Sequence, residues 1–191
     1  HRTAEHVAAA LSVDGVEVGA GDVAVCSTGL IGTRLPMDLV TAGVTAAAAA
    51  LDDEGGADAA RAIMTTDTVP KTAGYVDEGW SVGGMAKGAG MLAPGLATML
   101  VVITTDAVLD AEAAGTYLRK ACSTTFERVD SDGCMSTNDT VVLMSSGASG
   151  LRPDARDFQA ALDETCHDLA LQLLRDAEGA AHDIAITVEH A

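Results

Sequence analysis

Ala97 and Thr98 stand in the stretch KGAGMLAPGLATML, Lys87 to Leu100, which runs into the apolar segment Val101-Val102-Ile103. The glycines and proline ahead of Thr98 suit a loop, and the β-branched run after it suits a strand. A threonine at the start of such a strand can support one particular chemistry. If the Ala97–Thr98 peptide bond were cut, Thr98 would carry a free α-amine beside its own hydroxyl. An N-terminal amine titrates near neutrality, so one residue would supply both nucleophile and base. Spacing alone leaves the plainer reading open, in which Thr98 is an ordinary strand threonine.

Other residues are chemically suggestive for their setting. Thr28 and Gly29 lie where an expected strand gives way to a helix, a turn that exposes a hydroxyl and a backbone N–H. Lys87 is one of three lysines, with Lys71 and Lys120, and it sits among glycine and apolar residues. A cation there can hold a carboxylate, or it can snorkel to the surface. Asn138 and Asp139 in STNDT read as structural turn residues. The five histidines and four cysteines show no metal spacing, and the cysteines (Cys26, Cys122, Cys134, Cys166) read as free thiols of a reducing compartment.

The elements that must position these residues follow from pattern and punctuation. Helices are expected over Ala4–Leu11, from Pro36 to Leu51, over Ala57–Met64 and over Asp110–Phe126. The clearest helix spans Pro153 to about Ala177, where Phe158, Leu162, Cys166, Leu169 and Leu173 form one apolar stripe. Strands are expected at Val16–Val18, at Asp22–Cys26 as a buried strand, and within Tyr75–Gly90 as twisted strands or a hairpin. Thr98–Thr105 reads as the central strand, Thr140–Met144 as a buried one, and His182–His190 as a half-exposed one. Strands alternating with helices predict a single α/β layered domain over residues 1–191.

Composition sets further bounds. The chain is 48% hydrophobic but only 3% aromatic, so its core must be built from Ala, Val, Leu, Ile and Met. A formal net charge of −17 argues against nucleic acid or an anionic membrane as partner, since both would repel it. No apolar run approaches membrane-spanning length, and a cytoplasmic location is expected.

Four stretches in order resemble the ornithine acetyltransferase family, the ArgJ-type glutamate N-acetyltransferases: CSTGLIGTRLPMD, AIMTTDTVPK, KGAGMLAPGLATML and DGCMSTNDTVVL. The resemblance implies a layered sandwich of helices and sheets, the N-terminal-nucleophile-like (ArgJ/DmpA-type) fold. It implies self-cleavage between Ala97 and Thr98, giving an α part (1–97) and a β part (98–191) that assemble as α2β2. Acetyl would then pass from N2-acetyl-L-ornithine to L-glutamate through acetyl-Thr98, with no metal or organic cofactor. Thr28 and Gly29 would form the oxyanion hole, and Thr65, Lys87, Thr98 and Glu178 would bind substrate. Because the family is longer at both ends, the chain is expected to be an internal portion of the whole enzyme.

Three rivals belong beside that reading. One is a bifunctional form that also uses acetyl-coenzyme A, and another is a related N-terminal-nucleophile amidohydrolase or aminopeptidase. The third is a non-catalytic binding domain whose glycine-rich loop holds an anion.

Overall fold

The structure is a computed structural model that describes residues 1–13, 15–30, 32–90, 99–134, 136 and 138–190. Its contacts gather into two compact units, His1–Gly56 and Ala57–Ala191.

In the first unit, helix α1 (Arg2–Leu11) packs against helix α2 (Met37–Ala49), with Pro36 as the residue preceding α2. The His6 ring and the Thr45 hydroxyl meet across the pair at 3.0 Å. Gly15, at φ +86°, turns the chain after α1, and Val13 and Val16 form a single β-bridge around it. The strand expected at Val16–Val18 is reduced to that bridge. Asp22–Cys26 is not the expected buried strand either: Asp22 ends a short 3-10 turn, and Val25 is 54% exposed. Alternating apolar residues make a strand only where a neighbour completes the ladder, and no described residues pair with this segment.

The second unit, from Ala57, takes in nearly all of helix α3 (Gly56–Ala62), and it is built on a sheet. Strands β1 (Lys71–Asp77), β2 (Trp80–Lys87), β3 (Leu100–Thr105) and β4 (Thr140–Ser145) lie side by side in chain order. The first two pairings are antiparallel and the third is parallel. Asp77 faces Trp80, so a two-residue turn closes the expected hairpin, and Gly79 adopts φ +87° there. The parallel step needs a crossover, which helix α4 (Ala111–Thr124) provides. Asp110 caps α4, accepting the Ala113 N–H at 2.8 Å.

Helix α5 (Ala155–Arg175) lies on β1, β2 and α4. The expected stripe is its core face, since Phe158, Leu162, Cys166, Leu169 and Leu173 are all fully buried. They pack with Trp80, Val82, Val101 and Ile103 of the sheet, and the Trp80 and Phe158 rings sit 5.7 Å apart. Gly84 allows this close approach, because a Cβ there would come within 3.0 Å of Leu169 Cδ1. The result is a mixed α/β layering of helices on a sheet.

Two further expectations differ. β4 is only partly buried, because among the described residues it pairs with β3 alone, at the edge of the sheet. Residues 182–190 are exposed and lack regular structure, with Ile184, Ile186 and Val188 all at least 75% exposed. Their alternation again finds no ladder partner among the described residues. No helix among the described residues is long and apolar enough to cross a membrane.

Candidate functional site

The strand register gathers one end of the sheet. Lys71 opens β1 opposite Ala86, Lys87 closes β2 opposite Leu100, and Leu100 stands beside Thr140 at the start of β4. Two of the three lysines therefore share this end, and both are buried, Lys71 fully and Lys87 at 2% exposure. Buried ammonium groups require partners, since burial otherwise favours the neutral form.

Lys71 has its partners in two aspartates. Its Nζ donates to Asp67 Oδ1 at 2.7 Å and to Asp176 Oδ2 at 2.5 Å. Asp176 lies just beyond α5, so the ion pair fastens the start of β1 to that helix end. The same Asp176 carboxylate accepts the Thr68 N–H at 2.9 Å and the Thr68 hydroxyl. Burial alone would raise the pKa values of Asp67 and Asp176. For Asp67, hydrogen bonds from Gly88 N–H, Lys71 and Thr65 N–H outweigh that penalty; for Asp176, those from Lys71 and Thr68 do. Both carboxyls thus sit below the ordinary aspartate value.

Asp67 also shapes the backbone around it. It accepts Thr65 N–H at 3.0 Å and Gly88 N–H at 2.7 Å, so it holds the residue that follows Lys87. Lys87 has its pKa lowered by burial, opposed by the negative charges of Asp67 and Asp139 and reinforced by the positive charge of Lys71. Asp139, at the approach to β4, accepts Met99 N–H at 2.9 Å, and Met99 carbonyl accepts Thr140 N–H at 3.0 Å. Burial raises the Asp139 pKa despite hydrogen bonds from Met99 and Ser136 and the nearby Lys87 charge.

The expected site residues fall as follows. Thr28, half-buried, and Gly29, exposed, belong to the first unit. In the second unit, Thr65 is exposed on the loop that Asp67 ties down, and Lys87 is buried at the strand end. Glu178 is exposed just past α5; its N–H donates to the Ala89 carbonyl at 2.6 Å, and its Cδ would lie 4.0 Å from a Cβ on Gly90. The structure thus brings Thr65, Lys87 and Glu178 to one end of the sheet, around the backbone that leads into and out of residues 91–98. Ala97 and Thr98 themselves lie outside the described residues.

Four groups organise this end; sequence reasoning passed over Asp67 and Asp176, counted Lys71 only among the lysines, and read Asp139 as a turn residue. TTDTVPK contains two of them, and a lysine in a lysine-poor chain was a signal for Lys71. Asp176 gave none, being one of 28 acidic residues and 105 positions from Lys71. The thiols offer no rival nucleophile among the buried groups, since burial first, and then nearby negative charge, pushes Cys122 up to about 11 and Cys166 up to about 12. Among the described residues no group of three or more His, Cys, Asp or Glu is arranged to hold a metal ion.

Comparison with known proteins adds a second line of observation. The ArgJ family model matches residues 1–191. The arginine biosynthesis bifunctional protein ArgJ of Streptomyces coelicolor is 61% identical over 186 residues, covering 97% of this chain and 49% of that protein. Its counterpart in Mycobacterium leprae is 58% identical over 191 residues, covering 98% and 47%. A crystal structure of ornithine acetyltransferase from Mycobacterium tuberculosis, complexed with ornithine, is 60% identical over half of each chain, with a TM-score of 0.47. The chain spans about half the length of the curated relatives it matches.

Proposed function

This chain belongs to the ArgJ family, and from that premise we propose that it is part of an acetyltransferase that moves acetyl from N2-acetyl-L-ornithine to L-glutamate through an acetyl-Thr98 intermediate. The observation that carries this reading is the family match across residues 1–191, within which the sequence Ala97-Thr98 comes just before Met99 and the start of β3 at Leu100. The setting of Lys87 supports it. A buried ammonium, steadied by two carboxylates, stands beside Leu100, two positions after Thr98.

The chemistry proceeds in two stages. In the precursor, the Thr98 hydroxyl attacks the Ala97 carbonyl, and acyl shifts from nitrogen to oxygen. Water then hydrolyses the ester, leaving residues 1–97 as the α part and 98–191 as the β part. In the mature enzyme, the free α-amine takes the hydroxyl proton as the Thr98 oxygen attacks the acetyl carbonyl of acetyl-ornithine. The Thr28 hydroxyl and the Gly29 N–H stabilise the oxyanion, each such donor being worth about 3 to 4 kcal/mol of barrier. Ornithine leaves with the proton on its amine, and the amine of glutamate then attacks the ester and restores Thr98. Lys87 holds the substrate α-carboxylate, Glu178 takes the amino group, and Thr65 contributes a hydroxyl. The two parts assemble as α2β2 in the cytoplasm, and no metal or organic cofactor takes part. The relatives are named bifunctional, which favours one extension: acetyl-coenzyme A as a second donor to glutamate.

The test uses the full-length enzyme. N-terminal sequencing should find a second start at TMLVVITT, and labelled ornithine should exchange into acetyl-ornithine without glutamate present. Acetate release as fast as acetyl-glutamate formation, with no exchange, would assign the enzyme to the hydrolases. A Thr98→Ala variant that still transfers acetyl would eliminate the covalent mechanism.

A further inference from the structure

One buried carboxylate links two of the stretches that the proposed function assigns to substrate. The Asp67 side chain is fully shielded from solvent and accepts three hydrogen bonds. Its Oδ2 takes the Thr65 N–H at 3.0 Å, and its Oδ1 takes both the Gly88 N–H and the Lys71 ammonium at 2.7 Å. Hydrogen bonds to an ionised carboxylate are roughly twice as strong as those between neutral groups, so the donors are firmly held. The Gly88 N–H belongs to the peptide unit whose carbonyl is that of Lys87. Because a peptide unit is planar, fixing that N–H fixes the plane of the Lys87–Gly88 amide at the end of β2. Thr65, exposed on the loop between α3 and β1, is held in the same way from the other oxygen.

Lys71 has a complementary task. It supplies Asp67 with a counter-charge in a buried place and links it through Asp176 to the end of α5. Its own hydrogen bonds go to the two aspartates and the Val69 carbonyl, so the contact with the Thr65 and Gly88 backbones belongs to Asp67. The Asp67 charge also acts on the Lys87 ammonium.

We propose that Asp67 is a positioning residue for the amino-acid substrate, setting through its two oxygens the spacing between the Thr65 loop and the strand end that carries Lys87. The proposal rests on the reading of Thr65 and Lys87 as substrate-binding residues, and it names the group that holds them in register. Asp67 itself needs no contact with substrate. Its loss should appear as weaker binding, because a displaced hydroxyl or ammonium no longer meets the same ligand geometry.

The test measures ornithine binding to the full-length enzyme by titration calorimetry, whose stoichiometry counts only the sites that bind. Asp67→Asn leaves one acceptor oxygen where two were used, so it must release either the Thr65 N–H or the Gly88 N–H. Asp67→Glu keeps a charged partner for Lys71 but moves the oxygens outward by about one methylene, roughly 1.5 Å. Phe158→Leu is the stability control, since it loosens the core beside Trp80 at the opposite end of β2. The expected result is a rise in ornithine Kd of about tenfold or more in both Asp67 variants, with Phe158→Leu within about threefold of wild type. Should Asp67→Asn fail to fold, Asp67→Glu decides alone. A Kd for Asp67→Glu close to that of wild type would overturn the proposal, as would an equal rise in Phe158→Leu. Lys87→Ala separates the two levels of the argument. If it binds ornithine as tightly as wild type, the substrate-site reading fails and the proposal with it; if it loses affinity while Asp67→Glu keeps it, only the positioning role fails.

Discussion

Lys87 joins the electrostatics of the strand end to the proposed chemistry. Burial holds its pKa below the ordinary lysine value, with the charges of Asp67 and Asp139 limiting the drop. A lysine that binds a carboxylate does so only while protonated. KM for acetyl-ornithine should therefore rise with pH, beginning below the value of about 10.4 at which an exposed lysine loses its proton. Lys87→Ala should raise KM about tenfold or more at neutral pH and remove that rise, apart from the titration of the substrate itself. Steady-state kinetics between pH 7 and 10 on both proteins checks this; parallel profiles would deny Lys87 the role. The prediction concerns binding, so kcat should change less than KM.

The start of β1 and the end of α5 depend on one buried ion pair. Removing one partner of such a pair strands the other charge, typically at about 3 to 5 kcal/mol. Lys71→Met should therefore lower unfolding stability by that order, read from urea denaturation at pH 7. Asp67 and Asp176 both have folded pKa values below their unfolded ones. Their stabilisation is thus present above the unfolded value of about 3.9 and is lost as pH falls through the lower folded values. In Lys71→Met that acid-side loss should be smaller, because the largest charge partner is gone. At this scale the sequence was legible where an element satisfies itself or buries a single face. The α5 stripe and the Gly79 hairpin are of that kind, since a helix makes its own hydrogen bonds and a tight turn needs only local φ. DVAVC and residues 182–190 were misread because a strand depends on a distant neighbour that pattern does not reveal. The candidate site was legible by the same division. Lys87 could be found from its odd surroundings, whereas the Lys71–Asp176 pair joins positions 105 residues apart, a distance no local signal spans.

For the whole molecule, the consequence lies in where the proposed cut falls within the sheet. β1 and β2 precede residues 97 and 98, and β3, α4, β4 and α5 follow them. The ladder from Val82–Thr105 to Lys87–Leu100, the packing of α5 on β1 and β2, and the Lys71–Asp176 pair would all then join separate polypeptides. A covalent tether keeps such partners at an effective concentration on the order of millimolar; cutting it leaves only the bulk concentration. Unfolding of the mature enzyme would become a dissociation governed by mass action. Its melting temperature should climb with protein concentration more steeply than that of Thr98→Ala, which stays in one piece, as differential scanning calorimetry over a hundredfold concentration range would show. Equal slopes would mean that the halves do not part on melting. After denaturation and high dilution, the uncut variant should regain its structure while the processed enzyme should not, so that processing gives activity at the expense of renewability.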